Sequence, residues 1–294
     1  MFTLAHLSDP HLALLPKVSM RSLFGKRATG YVNWRRKRRF AHDVEVLVRI
    51  CADMKTQAPD HIAVTGDLAN LALPDEFVRG RDWLETLGEA RDVSLVPGNH
   101  DIYVRAAMRH AIRQWGAHMC GDDGAVAFPY VRRRGNVALV GVSSGVPTAP
   151  FLATGWIGAK QAAALAVLLH DLKSENVFRV VMVHHPPVSA APRHKRLLDA
   201  NVLMRVIAEQ GAELLLHGHD HLDMLNWLPS FNGERAPAVG VPSASAAPGW
   251  SKDAGGYNLY RIDGEAGAWR CEMIARGIDA DGNVSERARM MLWE

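Results

Sequence analysis

Cysteine is scarce in this chain. Its three residues, Cys51, Cys120 and Cys271, are odd in number and far apart. That excludes a disulfide framework and a thiolate zinc site, and a reducing compartment is the simplest setting. No stretch approaches the roughly 18 consecutive apolar residues of a membrane-spanning helix. The opening MFTLAHLSDPH has neither a basic lead nor a long apolar run, so no secretory signal is expected and the cytoplasm is the expected location. Internal repeats and long Pro/Gly/Ser linkers are also lacking. One domain over residues 1–294 is therefore expected. Acidic residues are missing from one place: residues 10 to 42 hold nine Lys or Arg and no Asp or Glu. The remaining 25 basic residues face 31 acidic ones, so an acidic body of net charge −6 carries one basic arm.

What is present is ordinary globular material: 294 residues, 48% hydrophobic and 22% charged. Short apolar runs read as strands at 3–8, 61–65, 93–96, 178–183 and 214–217, with a hairpin pair at 125–133 and 136–142 turning at Arg134-Gly135-Asn136. Helical periodicity covers about 40–57, 74–88, 158–171 and 197–210. Strands dominate the end of the chain, where 224–228, 236–242, 257–262 and 268–274 read as a second sheet. The last fifteen residues are polar and poorly patterned. The expected fold is α/β, a four-layer αββα sandwich of two mixed sheets with helices outside. Residues 12–39 read as a basic insertion or cap, and Pro16, Gly25 and Gly30 argue against one long helix there.

Five stretches share one grammar, an apolar strand followed by residues of metal-ligand type. They are Asp9-Pro-His11, Gly66-Asp67, Gly98-Asn99-His100-Asp101, His184-His185-Pro-Pro and Gly218-His219-Asp-His221. In α/β folds, sites form beyond the carboxyl ends of strands. The donors are carboxylate, amide oxygen and imidazole, which suit Mn, Fe, Zn or Co. Seven ligands are too many for one tetrahedral ion and suit two. A pair roughly 3.5–4 Å apart clamps the attacking and leaving oxygens of a displacement at phosphorus. Asp67 stands alone at its strand end and is the natural bridge. His219 and His221, two apart in an extended segment, would point to one side.

This ordered set resembles the calcineurin-like metallophosphoesterases over most of the chain, and its form is most similar to the bacterial class III cyclic-nucleotide phosphodiesterase branch. The resemblance implies that Asp9, His11, Asp67 and His221 hold one metal ion and that Asp67, Asn99, His184 and His219 hold the other. It implies a metal-bridging hydroxide as nucleophile, acting on a phosphodiester. His100 would neutralise charge on the phosphoryl oxygens or protonate the leaving oxygen, and Asp101 would orient His100 and stabilise its imidazolium. In the His184-His185 pair the resemblance puts the first residue on the metal and leaves His185 either supporting the ligands from behind or facing substrate. It has no ligand at His217.

Taken singly, each block has a structural reading, as turn chemistry or a core histidine; their order is what points to chemistry. His6, His42, His61, His110, His118, His170 and His194 are expected to be structural. Asn70 is expected to brace its loop or touch substrate. The basic arm follows the first ligand block, so Arg35 and Arg36 are candidates for gripping a small anionic phosphoester. Basic residues of segment 17–39 interleaved with Leu23, Phe24, Tyr31 and Trp34 also fit an anionic membrane surface, with the chain peripheral to its inner face. That composition makes a lipid-linked nucleotide the alternative substrate. An acidic body without a nucleic-acid fold signature argues against nucleic acid. A non-catalytic scaffold is the reading from another class, and the intact ligand blocks argue against it.

Overall fold

The computed structural model describes residues 1–12, 15, 18–23, 25–250 and 253–294. In chain order the strands among them are β1 (Phe2–Leu7), β2 (His61–Val64), β3 (Val93–Leu95), β4 (Tyr130–Arg134), β5 (Val137–Val142), β6 (Phe178–Val183), β7 (Leu214–His217), β8 (Met224–Pro229), β9 (Arg235–Gly240), β10 (Gly256–Asp263), β11 (Arg270–Ile278) and β12 (Val284–Trp293). The helices are α1 (Lys26–Asn33), α2 (Arg39–Ala41), α3 (Val44–Thr56), α4 (Pro74–Leu87), α5 (Ala107–Trp115), α6 (Ala159–Ser174) and α7 (Ala200–Gln210). The strands form two six-stranded mixed sheets, ordered β12-β11-β10-β1-β2-β3 and β4-β5-β6-β7-β9-β8.

Strand alternation sets the layers. Leu4 and Ala63 point between the sheets, where they meet Val180, Met182, Leu214 and Leu216. Their neighbours Ala5, Leu7, Ile62 and Val64 point the other way, onto apolar residues of α3, α4 and α5. Val181 and Leu215 likewise pack outward against α6 and α7. Central strands buried on both faces read as continuous apolar runs, which is why they were visible in sequence. The layering is αββα, as expected. β1, β2 and β3 run parallel, as do β5, β6, β7 and β9, so all five ligand blocks emerge at carboxyl ends.

Two expectations are corrected. The C-terminal strands do not make one sheet: β8 and β9 extend the sheet of β7, whereas β10 and β11 extend the sheet of β1. The final residues are not irregular but form β12, a ten-residue edge strand. Its exposed residues carry ion pairs instead of an apolar face, with Arg289 paired across to Glu272 of β11 at 2.8 Å and along its own strand to Glu286 at 2.7 Å.

The basic segment is mostly helical. α1 continues through a π-helical turn, Trp34–Arg38, into α2. Gly25, at φ 66°, stands at its start. Gly30 lies inside the helix, where a Cβ would press on the Tyr103 hydroxyl and a Leu71 methyl. Leu23 and Tyr31 pack against the core, which removes them from any outward apolar face. Lys17 and Phe24 lie outside the described residues. No helix among the described residues is long and apolar enough to cross a membrane.

Candidate active site

The ligand blocks leave their strands through strained turns. Asp9, His11, Asp67, His219 and His221 all have positive φ, between 36° and 68°. Each such residue costs about 1–3 kcal/mol, a cost native structures tolerate mainly at functional sites. It also corrects the expectation for His219 and His221. β7 ends at His217, and the two rings do not alternate as in a strand. They nevertheless reach different clusters, as the resemblance implies. His217 stays in the strand, buried, with neither ring nitrogen hydrogen-bonded among the described residues.

The first cluster gathers Asp9, His11, Asp67 and His221. His221 Nε2 lies 3.1 Å from Asp9 Oδ1 and 3.4 Å from His11 Nε2. His11 Nε2 is 3.8 Å from both Asp9 Oδ1 and Asp67 Oδ2. The second cluster gathers Asp67, Asn99, His184 and His219. His184 Nε2 lies 3.2 Å from Asn99 Oδ1, 3.2 Å from His219 Nδ1 and 3.5 Å from Asp67 Oδ2. Asp67 Oδ2 therefore faces both clusters. The other carboxylate oxygens are held elsewhere: Asp67 Oδ1 accepts from His100 N at 2.7 Å, and Asp9 Oδ2 from Ser8 Oγ at 2.6 Å and His219 N at 2.9 Å. Gly98 and Gly218 permit this crowding. A Cβ on Gly98 would strike Asp67, and one on Gly218 would strike Ser8 and Asp9.

The ring tautomers follow the same logic. His11 Nδ1 faces Ala69 O, His184 Nδ1 faces Thr65 O and His219 Nε2 faces Lys195 O, at 3.3, 2.6 and 2.7 Å. Each then donates to a carbonyl with one nitrogen and turns the other to the cluster, the arrangement of a metal-binding histidine. Burial, helped by neighbouring cations, holds His11 well below the usual histidine range and His219 at about 4, so both are neutral imidazoles at pH 7. His184 is different. Burial pulls it down, but the Asp67 and Asp9 carboxylates outweigh that and raise it to about 10. Carboxylate, amide and imidazole donors converging on two small volumes around one shared oxygen fit a pair of metal ions of the Mn, Fe, Zn or Co type.

Several expected roles change. His185 does not face substrate: its Nδ1 meets Ser144 Oγ at 2.7 Å and its Nε2 faces Ala153 O at 3.2 Å, so both nitrogens are engaged. Asn70 is a brace. It is buried, donates to Leu12 O, and its backbone is held by Glu76. Asp101 does not orient His100. Its carboxylate accepts from Asp67 N, Gly98 N and Ala69 N at 2.7, 2.9 and 2.9 Å, tying two ligand loops together. Burial and the Asp67 carboxylate raise it to about 7, against the pull of those backbone donors. His100 is instead oriented by Asn70 O, 2.7 Å from its Nδ1.

Arg35 and Arg36 are exposed and do not line the cleft, whereas Arg38 does, 3.0 Å from His100 Nδ1. The π turn is the reason. Along this helix Lys26, Gly30, Asn33 and Arg38 line one cavity, and the extra residue per turn brings Arg38, not Lys37, onto that face. Nothing in the local sequence announces that phase shift.

The clusters floor a cleft of about 550 Å³ bounded by Arg38, Lys195, His219 and His221. A second cavity of about 380 Å³ adjoins it beneath α1, sharing Arg38, Asn99 and His100, and is walled by Lys26, Tyr103 and Phe151.

A family model for calcineurin-like phosphoesterases matches residues 2–223, most of the chain and all five ligand blocks. The chain belongs to that family. Calcineurin-like phosphoesterases are metal-dependent phosphoester hydrolases, and membership implies a dinuclear metal site. A probable cyclic nucleotide phosphodiesterase of Synechococcus sp. is 25% identical over 254 residues, covering 84% of this chain and 85% of that protein. The fold is similar to that of a dimetal phosphatase from Danio rerio, with a TM-score of 0.66 at 12% identity, covering 99% and 98% of the two chains. It is also similar to a purple acid phosphatase from yellow lupin (Lupinus luteus) seeds, with a TM-score of 0.53 at 11% identity, covering 99% of this chain and 53% of that one. This calcineurin-like phosphoesterase brings Arg38, and neither Arg35 nor Arg36, to its cleft.

Proposed function

We propose that the chain hydrolyses phosphodiesters, with cyclic nucleotides as the leading substrate class. One observation carries the reading: Asp67 Oδ2 faces two ligand clusters at the floor of a cleft whose rim is cationic. Asp9, His11, Asp67 and His221 would hold one ion, and Asp67, Asn99, His184 and His219 the other. Bound there, the pair supplies charge that ionises water near neutral pH and stabilises the developing phosphoryl charge. The similarity to the Synechococcus protein supports a diester. The adjoining cavity under α1 supports it too, since Tyr103 and Phe151 offer apolar surface to a second ester substituent such as a base.

The chain's own groups then divide the work. Arg38 and Lys195 draw the anionic phosphoryl group into the cleft. His100 donates from Nδ1 to Asn70 O, which leaves Nε2 as its free nitrogen. Burial and the Arg38 charge hold His100 down at about 3, so the ring is neutral at pH 7 before substrate arrives. An arriving phosphoryl anion offsets Arg38 and favours proton uptake at Nε2, and that proton passes to the leaving oxygen.

The test is a substrate panel with Mn²⁺: bis(4-nitrophenyl) phosphate, cyclic AMP and 4-nitrophenyl phosphate. Both diesters are expected to turn over, at least about tenfold faster than the monoester, a barrier difference of about 1.4 kcal/mol. Hydrolysis of the monoester alone would contradict the reading. Failure on all three with two ions bound would favour a binding scaffold.

A further inference from the structure

His42 joins α2 to α3 and was expected to be structural. Its backbone is extended and pinned to the loop after β9: it bridges Ala246, Asp43 N donates to Ser245 O at 2.8 Å, and Ala247 N donates to Ala41 O at 2.9 Å. The ring is buried, at 7% exposure, and inside the first cluster. Its centroid is 4.4 Å from that of His11 and 5.7 Å from that of His221. One ring nitrogen from each of His11, His42 and His221 lies within 4.8 Å of the others. Ligands on a single ion stand roughly 3–4 Å apart, given metal–nitrogen bonds near 2.1 Å.

The hydrogen bonding of His42 matches that of the ligand histidines and not that of His185. Its Nδ1 faces Ser245 Oγ at 2.9 Å and Ser243 Oγ at 3.4 Å. Ser243 has committed its proton to Asp9 O at 2.6 Å, so it can only accept from its neighbours. A consistent chain runs His42 Nδ1–H to Ser245 Oγ–H to Ser243 Oγ–H to Asp9 O, the two serine oxygens lying 3.4 Å apart. That chain leaves Nε2 as a bare lone pair, and no hydrogen bond engages it among the described residues. His6 and His61 also have one nitrogen unpartnered, but in the core and away from the ligand clusters.

We propose that His42 is an additional ligand to the ion held by Asp9, His11, Asp67 and His221, contributed by the basic segment. The assignment rests on the dinuclear reading above. It gives the first ion five protein donors against four for the second, so the two ions bind unequally. It also ties the first ion to the arm that carries Arg38, four residues away.

The experiment is Co²⁺ titration of the metal-free full chain, followed by calorimetry and by visible d–d absorption, for wild type, His42→Ala and His42→Phe. The phenylalanine keeps a ring between His11 and His221 and removes only the nitrogens, so it serves if the alanine variant fails to fold. Wild type is expected to bind two Co²⁺. In the variants one of the two is expected to bind about tenfold or more weakly with an altered spectrum, the other unchanged. Two unchanged dissociation constants and an unchanged spectrum in His42→Phe would overturn the assignment alone. Wild-type protein that takes up no Co²⁺ would overturn it together with the dinuclear reading.

Discussion

Replacing Asp67 with asparagine is expected to lower diester turnover by about 10³-fold or more and leave the chain folded. Asparagine tolerates the left-handed backbone at this position, where φ is 56°. Its amide oxygen can still accept the His100 N–H that now reaches Oδ1. What it loses is the charge on Oδ2, the oxygen facing both clusters. Two cations a few ångströms apart repel strongly, and a shared anion is what holds them there. Several kcal/mol of transition-state stabilisation depend on that pair, and about 4 kcal/mol corresponds to the stated loss. Initial rates on bis(4-nitrophenyl) phosphate, with circular dichroism as the folding control, check it. Turnover within tenfold of wild type would remove Asp67 from its shared position.

Arg38→Ala is expected to reduce kcat/KM for diesters by about 10–100-fold, as the loss of a charge-assisted hydrogen bond worth roughly 1.5–3 kcal/mol implies. Arg38→Lys is expected to recover little, because a lysine ammonium replaces a planar fork that matches phosphate oxygens. Arg35→Ala and Arg36→Ala, both on the exposed side, are expected to change kcat/KM less than about twofold. A second readout separates a substrate contact from a packing effect. After burial, Arg38 is the largest influence lowering His100, so removing it lets the His100 pKa rise. Any limb of the kcat/KM profile that reports His100 then moves to higher pH. An unmoved profile with unchanged kcat/KM would show that Arg38 only lines the wall.

The five ligand blocks were legible because each is local, an apolar strand of three to six residues ending in polar donors, and parallel topology does the rest. Layering was legible for the same reason, from runs such as FRVVMV that bury both faces. Arg38 and His42 were not legible. Their partners lie far away in sequence, His100 for one and Ser245 and His221 for the other, and no local pattern encodes those contacts. The π turn adds a phase shift that helical periodicity cannot anticipate. Asp101 misled in the opposite way. Adjacency to His100 suggested a carboxylate–imidazole pair, yet its neighbours in space are three backbone N–H groups of two ligand loops. β12 was hidden because an edge strand stabilised by Arg–Glu pairs looks polar.

Two ions held at clusters that share Asp67 would make turnover follow metal content ion by ion. Metal content by mass spectrometry across a Mn²⁺ titration of chelator-stripped protein, with diester turnover measured at each point, tests it most directly. Stripped protein is expected to show no turnover, metal uptake to saturate at two ions per chain, and full activity to appear only as the second ion binds. Saturation at one ion, or diester hydrolysis that survives complete stripping, would contradict it.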